Sequence, residues 1–188
     1  DVMVDAYIWG KVNRISPEAP VPVFEVKKRE NRLGGAANVA LNIQALGAKP
    51  ILCGIIGQDL KGNIFETVLS KQKLNSQGII KSEKRLTTCK TRIISSSHHM
   101  LRVDEEIIEP INQKDSDQLI QTVKSLTETE KIDVVIFEDY DKGLLNPNNI
   151  KEIITFLNAK EIPICVDPKK ENFLNYQGAT LFKPNFKE

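Results

Sequence analysis

The sequence lacks both a strong excess of charge and any long apolar run. Its 188 residues carry 26 basic and 25 acidic side chains, which leaves a formal net charge of +1. A nearly neutral chain has no long-range field with which to hold a nucleic-acid backbone. No apolar stretch approaches the roughly 20 residues of a membrane span, and nothing at the start resembles a signal peptide. These absences argue against a nucleic-acid partner and against a membrane protein.

Cysteine and histidine are also scarce. Cys53, Cys89 and Cys165 are scattered along the chain, and none of them forms a Cys-x-x-Cys pair. We interpret them as buried thiols in a reducing compartment and expect a cytoplasmic protein. His98 and His99 are adjacent, so in a strand their side chains would diverge and make a poor metal pair. The sequence therefore predicts no direct metal ligands of these types.

What the sequence does contain is a regular alternation of helix and strand signals. Apolar helical stripes are predicted at 36–46, 59–69, 114–126 and 146–157, and short apolar strands at 51–56, 134–137, 162–166 and 179–182. Asp59 and the pair Asn146-Pro147 supply helix caps. This repetition predicts an α/β fold with a largely parallel central sheet covered by helices on both faces.

Two stretches break the alternation. Residues 12–33 hold three prolines and then a short alternating strand at 23–26, and residues 87–103 indicate two strands joined by a polar turn. Neither stretch can be a helical crossover. We therefore expect both to form a small β-sheet lid, which suits a ligand that must be shielded from water.

The most informative stretch is Leu33-Gly34-Gly35-Ala36-Ala37-Asn38-Val39-Ala40. Paired glycines let the backbone approach a ligand closely, and a helix that begins there offers free N–H groups at its positive end. Asn38, in the first turn, can hydrogen-bond sugar hydroxyls. A glycine pair alone is better explained by a tight turn that needs positive φ. Neither a Walker A sequence nor Gly-x-Gly-x-x-Gly is present to support a P-loop or a dinucleotide-binding fold.

The run from Gly34 to Gly57 resembles the first signature of the PfkB, or ribokinase-like, sugar kinases, and the resemblance covers the whole chain. It implies that Asp5, expected just after the first strand, binds sugar hydroxyls together with Gly34, Gly35 and Asn38. It also implies a ribokinase-like version of the α/β fold. A homodimer that pairs through the exposed edge of the β lid is the implied assembly.

The later motifs extend the resemblance. Asp139, in the segment Glu-Asp-Tyr-Asp-Lys-Gly, stands where the family places another polar substrate contact. Asn185 and Glu188 match the family's Asn-x-x-Glu motif, which helps to organise magnesium and the nucleotide phosphates. The implied cofactors are therefore ATP and Mg²⁺.

Within the family, the chain is most similar to the kinase domain of heptose-7-phosphate kinase, which is often fused to an adenylyltransferase. The proline-rich segment 16–23, Leu101-Arg102-Val103-Asp104, Asp139-Tyr140-Asp141-Lys142-Gly143 and Asp167-Pro168-Lys169 carry this similarity. The proline-rich segment is equally consistent with an irregular edge stiffened by prolines. The similarity implies ATP-dependent phosphorylation of D-glycero-D-manno-heptose 7-phosphate at the anomeric hydroxyl, in the synthesis of ADP-heptose for lipopolysaccharide.

A phosphorylated sugar requires cations. The candidates are Arg14, Arg102, Lys142 and Lys169, because they lie beside ligand-like motifs, and we prefer Arg102 and Lys142. For each of them a solvated surface charge is an equally good interpretation.

The family's proton acceptor lies in a Gly-x-Gly-Asp motif, and the 188 residues contain none. Both ends also resemble interrupted strands. We therefore expect one incomplete kinase domain, without the catalytic base and most of the adenine pocket, that is inactive by itself. Two alternatives remain open: another sugar or nucleoside kinase of the same family, and a sugar-binding module that has lost catalysis.

Overall fold

Strands and helices alternate along residues 1–186, the part of the chain that this computed structural model describes. The strands are β1 (Val2–Ile15), β2 (Pro22–Gly35), β3 (Cys53–Gly57), β4 (Gly78–Ser82), β5 (Cys89–Ser95), β6 (His98–Glu105), β7 (Val135–Glu138), β8 (Ile164–Asp167) and β9 (Leu181–Phe182). The α-helices are α1 (Ala36–Ala45), α2 (Leu60–Lys71), α3 (Gln113–Thr129) and α4 (Pro147–Ala159), with a short 3-10 helix at Phe173–Asn175. The predicted helices are confirmed, and β4 was not predicted.

The core strands are short and parallel, and helices cover both faces of β3. β3 pairs with β4, and β7, β8 and β9 pair in that order, all in parallel. Ile55 of β3 packs into a cluster with residues of α3 and α4, whereas its neighbour Ile56 packs into a cluster with residues of α1 and α2. Because successive strand residues point to opposite faces, helices cover both faces of β3, as predicted.

Besides the two core sheets, β3-β4 and β7-β8-β9, the four strands β2-β1-β5-β6 form a third sheet, which we call the lid sheet. β1 pairs with β2 antiparallel and with β5 in parallel, and β5 pairs with β6 antiparallel. The inner end of this sheet belongs to the core, since Val2, Val4 and Ala6 are buried. Its outer end is largely exposed around Lys11 and Arg14.

Two expectations about this sheet are wrong. The short strand expected at 23–26 is part of the 14-residue strand β2, whose charged residues continue the ladder with β1 although they lack apolar alternation. Asp5 was expected just after the first strand but lies inside β1, which continues for ten more residues to Ile15. Pairing with β2 from Val2 to Ile15, and with β5 only from Val4 to Gly10, sustains β1 where its own pattern does not.

No helix within residues 1–186 is both long and apolar enough to cross a membrane.

Candidate functional site

Asp5 stands at the centre of the lid sheet, with Arg32 of β2 and Lys90 of β5 as its register partners. Its carboxylate Oδ1 accepts a hydrogen bond of 2.6 Å from Nη1 of Arg92. This bond is charge-assisted, and both side chains are about four-fifths buried. Asp5 is therefore held in one orientation by a neighbouring strand, with its second oxygen close to Gly34.

The two glycines are required by close packing. A Cβ atom on Gly34 would lie 2.9 Å from Cγ of Asp5 and 2.8 Å from Cγ of Met3. Gly35 has a φ of +57°, a conformation that side chains rarely adopt, and a Cβ there would lie 2.6 Å from the carbonyl oxygen of Asp1. The Gly-Gly pair thus brings the end of β2 against the Asp5 carboxylate and turns the chain into α1.

Helix α1 begins without a side-chain cap. The N–H of Ala36 donates to the carbonyl oxygen of Asp1 at 2.9 Å, and Gly35 at the N-cap has no side chain to bind the next N–H groups. The exposed Asn38 lies in this first turn. The positive end of the helix and a polar side chain therefore lie beside the carboxylate of Asp5.

A pocket of about 400 Å³ joins these groups. Asp5, Tyr7, Arg32 and Asn38 contribute its polar wall, and Leu41, Val68 and Gln72 from the helices are among its other lining residues. This volume lies in the usual range for small-molecule sites. The structure thus brings Asp5, Asn38 and the neighbouring Gly34 together, and their role in binding a sugar stays a prediction.

A network of ion pairs runs from the lid sheet to the segment Asp139–Gly143. Nζ of Lys90 bonds both Asp104 and Glu106 at 2.9 Å, and the other carboxylate oxygen of Glu106 accepts from Nζ of Lys142 at 3.0 Å. Arg102 joins the network through a 2.9 Å bond from Nε to Oδ1 of Asp104. Of the two preferred cations, Lys142 is largely buried and Arg102 is exposed.

Partial burial would raise the pKa of Glu106, but hydrogen bonds from Lys90 and Lys142 outweigh it and hold the pKa below its usual range. In the same network the hydrogen bond from Lys90, aided by Arg102, lowers the pKa of Asp104. Both carboxylates are therefore charged at neutral pH.

The other cations lie elsewhere. Arg14 is exposed near the outer end of β1, outside the pocket. Lys169 follows β8, is half-buried and lies close enough to Glu138 to favour the charged form of that carboxylate.

Asp139 is almost fully buried just after β7. Its Oδ2 accepts hydrogen bonds from the Tyr176 hydroxyl at 2.6 Å and from Nδ2 of Asn172 at 3.1 Å, and its Oδ1 accepts from the N–H of Asp141 at 2.9 Å. Burial, followed by the negative charge of Asp139, raises the pKa of Asp141. The carboxylate of Asp139 thus fixes the loop that follows it.

Hydrogen bonds made by Asp1 and by Arg85 also hold the same loop. The carboxylate of Asp1 accepts from the N–H of Tyr140 at 2.9 Å and from the N–H of Lys142 at 3.2 Å. The guanidinium of Arg85 donates to the carbonyl oxygens of Ile107 and Glu109 at 2.8 Å each, and to that of Lys142. Arg85 therefore fastens the base of the β5–β6 hairpin to the loop that presents Lys142.

A second polar group lies at the carboxyl ends of β7, β8 and β9. Glu138 and Asp167 are register partners at the ends of β7 and β8, and Asn185 follows β9 closely. Burial and then the charge of Asp167 raise the pKa of Glu138. Glu188, the partner of Asn185 in the predicted motif, lies outside the described residues. Within residues 1–186 there is no group of three or more metal-ligating side chains.

Sequence analysis missed Tyr7, Arg32, Lys90 and Arg92. Lys90 and Arg92 stand at positions i and i+2 of a predicted strand. This spacing could have shown that their side chains lie on the same face of the sheet. Tyr7 lies between two guanidinium groups, with Cζ of Arg32 at 4.8 Å and Cζ of Arg92 at 5.4 Å from its ring centre. Such cation–π contacts depend on strand register, which the sequence did not reveal.

This fold, with a polar pocket where a lid sheet meets the first helix of a parallel core, defines a class of carbohydrate kinases. The chain belongs to the pfkB family of carbohydrate kinases, whose family model matches residues 2–188.

Among curated proteins, the chain is 43% identical over 185 residues to the bifunctional protein HldE of Helicobacter pylori strain G27, covering 98% of this chain and 40% of that protein. It is 38% identical over 188 residues to the HldE protein of Geobacter sulfurreducens, covering all of this chain and 38% of that protein. The chain thus spans about two-fifths of the length of these relatives.

Solved structures share the fold at low sequence identity. Phosphofructokinase-2 from Escherichia coli in complex with fructose-6-phosphate superposes with a TM-score of 0.73 at 17% identity, over all of this chain and 59% of that one. Ribokinase from Arabidopsis thaliana, complexed with ribose and ATP, gives a TM-score of 0.64 at 10% identity, over 97% of this chain and 57% of that one. The predicted ribokinase-like fold is confirmed.

Proposed function

We propose that the full-length gene product is an ATP-dependent kinase that phosphorylates the anomeric hydroxyl of D-glycero-D-manno-heptose 7-phosphate to the 1,7-bisphosphate. Family membership and the identity to HldE proteins support the reaction class and the substrate. The observation that carries the proposal is the pocket where Asp5 and Asn38 lie together beside Gly34. In this proposal the enzyme acts in the cytoplasm, in ADP-heptose and lipopolysaccharide synthesis.

Each residue of the pocket has a distinct role in this proposal. Asp5, fixed by Arg92, accepts hydrogen bonds from sugar hydroxyls, and Asn38 donates and accepts alongside it. Gly34 and Gly35 would contribute backbone beside the sugar, and their close packing holds the end of β2 against Asp5. Asp139 belongs to the site through the loop that it holds, because its carboxylate is buried in protein hydrogen bonds.

The sugar phosphate would be bound by cations at the rim. Arg102 and Lys142 remain our assignments; they bond Asp104 and Glu106 in the ion-pair network, and neither lines the pocket itself. Lys169 is a further candidate at the end of β8. An incoming phosphate would compete with carboxylates for these cations, as expected where charges are only partly buried.

ATP and Mg²⁺ fit the far end of the site. β7, β8 and β9 are parallel, so Glu138, Asp167 and Asn185 all follow strand ends at one edge. Carboxylate and amide oxygens are the ligands that Mg²⁺ prefers, and ligands bind at this edge of open α/β sheets. These residues, with Glu188, would hold the metal–phosphate end of ATP, which supplies the transferred phosphoryl group. The Gly-x-Gly-Asp motif, to which the family resemblance assigns the proton acceptor, is not among the 188 residues.

A homodimer through the lid sheet completes the proposal. β6 is an edge strand whose residues are all exposed, and Met100, Leu101 and Val103 are apolar members of it. Unpaired strand edges with apolar side chains favour pairing with another strand. Sedimentation of the full-length gene product would test this; a monomer at micromolar concentration would exclude the dimer.

The test of function is ATP consumption by the full-length gene product against heptose 7-phosphate, ribose, fructose 6-phosphate and adenosine. We expect turnover with the heptose phosphate and little with the others. Turnover on another substrate would keep the fold and reaction class but replace the sugar. Binding of a sugar without any ATP consumption would favour the non-catalytic module.

The chain of 188 residues should bind sugar weakly and transfer no phosphoryl group, because it contains no Gly-x-Gly-Asp motif. Phosphoryl transfer by this chain, purified alone, would contradict the assignment of the proton acceptor to that motif.

A further inference from the structure

Arg85 binds three main-chain carbonyl oxygens from two separate segments. Its Nη1 donates to the carbonyl oxygen of Glu109 at 2.8 Å, and its Nη2 donates to that of Ile107 at 2.8 Å and to that of Lys142. Hydrogen bonds from a charged donor are roughly twice as strong as those between neutral groups, and the planar guanidinium fixes their directions. The side chain therefore holds the backbones of both segments in one arrangement.

The three bonds join both ends of the β5–β6 hairpin to the loop after β7. Arg85 lies in the segment 83–88, which leads from β4 into β5. Ile107 and Glu109 lie in the segment 106–112, which leads from β6 to α3, and Lys142 lies in the loop. One guanidinium thus connects the entry of the hairpin, its exit and the loop.

The loop also packs directly along the exit of the hairpin. Gly143 has a φ of +74°, and a Cβ atom there would collide with the carbonyl oxygen of Glu109. The N–H of Ile111 donates to the carbonyl oxygen of Gly143 at 2.9 Å, and Nζ of Lys142 bonds Glu106 at 3.0 Å. The hairpin cannot change its angle to the loop without breaking several of these contacts.

Hairpin and loop each carry a residue of the candidate site. The hairpin carries Arg92, which orients Asp5. The loop carries Lys142, whose N–H donates to the carboxylate of Asp1 at 3.2 Å and whose carbonyl oxygen accepts from Arg85. The distance from Lys142 to Asp5 is therefore set by bonds to the backbone that lie outside the pocket.

We propose that Arg85 is a positioning residue of the sugar site, which fixes the β5–β6 hairpin to the loop of Lys142 so that the two hold the sugar as one unit. The inference rests on the proposed function, because that function assigns Asp5 and Lys142 to the sugar. Arg85 does not line the pocket. Its loss should therefore weaken sugar binding without removing a group that binds the sugar.

The first experiment separates the two substrates. In the full-length gene product, Arg85→Ala should raise KM for heptose 7-phosphate about tenfold, because hairpin and loop are no longer held together. The kcat and the KM for ATP should change less than about threefold. Arg85→Lys should show most of the same rise, since an ammonium group cannot span three carbonyl oxygens as a planar guanidinium does.

Added guanidinium ion supplies the second experiment. At about 20 mM, far below the molar concentrations that unfold proteins, it should lower the sugar KM of Arg85→Ala at least about threefold by binding where the side chain was removed. The matched control is Arg29→Ala, at an exposed arginine of β2. Guanidinium should change the sugar KM of neither the control nor the wild type.

Three kinetic outcomes would overturn the inference. They are a sugar KM of Arg85→Ala within about threefold of the wild-type value, an equal rise of KM for sugar and ATP, and a rise that guanidinium does not reduce. Each of them would show that Arg85 does not act on the sugar site through the position of the hairpin and loop.

A wild-type protein that turns over no sugar would contradict the proposed function, and amide hydrogen exchange would then test the role of Arg85. In Arg85→Lys the segments 106–111 and 140–143 should both exchange at least about threefold faster than in the wild type, because local opening becomes easier. Arg29→Ala should exchange as the wild type does. Faster exchange in only one of the two segments, or in neither, would overturn the inference.

Discussion

The parallel core and the lid sheet are both held by backbone hydrogen bonds, but they differ in strand length and in the side chains that they carry. Core strands such as β3, β7 and β8 are four or five residues long and mostly apolar, and each contributes to a buried cluster with α3 and α4. β1 and β2 in the lid sheet are 14 residues long, and beyond the core they carry aromatic and charged side chains. In this chain, apolar burial is concentrated in the short core strands, whereas the candidate binding residues lie on the long strands of the lid sheet.

The energetic scales of the two regions differ accordingly. Full burial of one large apolar side chain stabilises a protein by about 1.5–3 kcal/mol, whereas an exposed ion pair contributes about 0–1 kcal/mol. Substitutions in the core should therefore act on stability, and substitutions around Asp5 should act on substrate binding.

The largest effect should come from the core. Phe65 of α2 is completely buried, so Phe65→Ala should lower the free energy of unfolding by about 3–5 kcal/mol through the cavity that it leaves. Urea unfolding of the full-length gene product measures this. Leu46→Ala, at a position that is 88% exposed, is the control and should change it by less than about 0.5 kcal/mol. Equal losses of unfolding free energy in Phe65→Ala and Leu46→Ala would contradict the view that core burial dominates stability.

Asp5→Asn should have a large effect on catalysis and a small effect on stability. Loss of the charged acceptor should lower kcat/KM for the sugar about 100-fold, because charge-assisted hydrogen bonds are weakened in the complex. The free energy of unfolding should change by no more than about 1 kcal/mol, since the Asp5–Arg92 pair is only partly buried. Asp133→Asn, at an exposed carboxylate, should change neither quantity. A stability loss as large as that of Phe65→Ala would make Asp5 a structural residue.

The smallest effect should come from the junction of the two regions. Glu106 bonds Lys90 of the lid sheet and Lys142 of the loop, and these bonds hold its pKa below its usual range. A lowered folded-state pKa contributes stability above the unfolded pKa of about 4.3 and loses it as pH falls through the folded value. Glu106→Gln should therefore cost about 1 kcal/mol at pH 7.

The difference between wild type and Glu106→Gln should shrink as the pH falls below about 4, because the carboxylate becomes neutral first in the unfolded state and then, at lower pH, in the folded state. Urea midpoints at pH 7, 5, 4 and 3 measure it. Glu128→Gln on the exposed face of α3 is the control and should show no such trend. A difference that stays constant with pH would mean that packing, not charge, explains the effect of the substitution.

The sequence was most informative where short-range rules decide the structure. Asp59 caps α2 through a 2.7 Å bond from the N–H of Gly62, and Asn146 caps α4 together with Asn149, as a local pattern can indicate. The lid sheet was harder, because the length of β2 follows from its pairing with β1 rather than from its own residues.

The candidate site also has residues that the sequence could place and residues that it could not. Gly34, Gly35 and Asn38 lie in one continuous motif, so their proximity was predictable, and Asp5 was expected beside them although its position within β1 was not. Arg92 could not be placed next to Asp5 without the parallel register of β1 and β5, which joins residues 87 positions apart. Register of this kind depends on tertiary contacts that local patterns do not encode.

The continuity of β1 has a mechanical consequence. Fourteen strand residues span about 45 Å, so one backbone runs from the buried core to the far tip of the lid sheet. The register with β2 shifts between Trp9 and Gly10 and again between Val12 and Arg14, so bending at these irregularities should absorb part of a displacement of that tip and pass the rest to the ladder that holds Asp5 against Gly34. Whatever engages the outer end of the lid sheet should therefore alter the geometry around Asp5 to a degree set by the stiffness of β1 at these two irregularities.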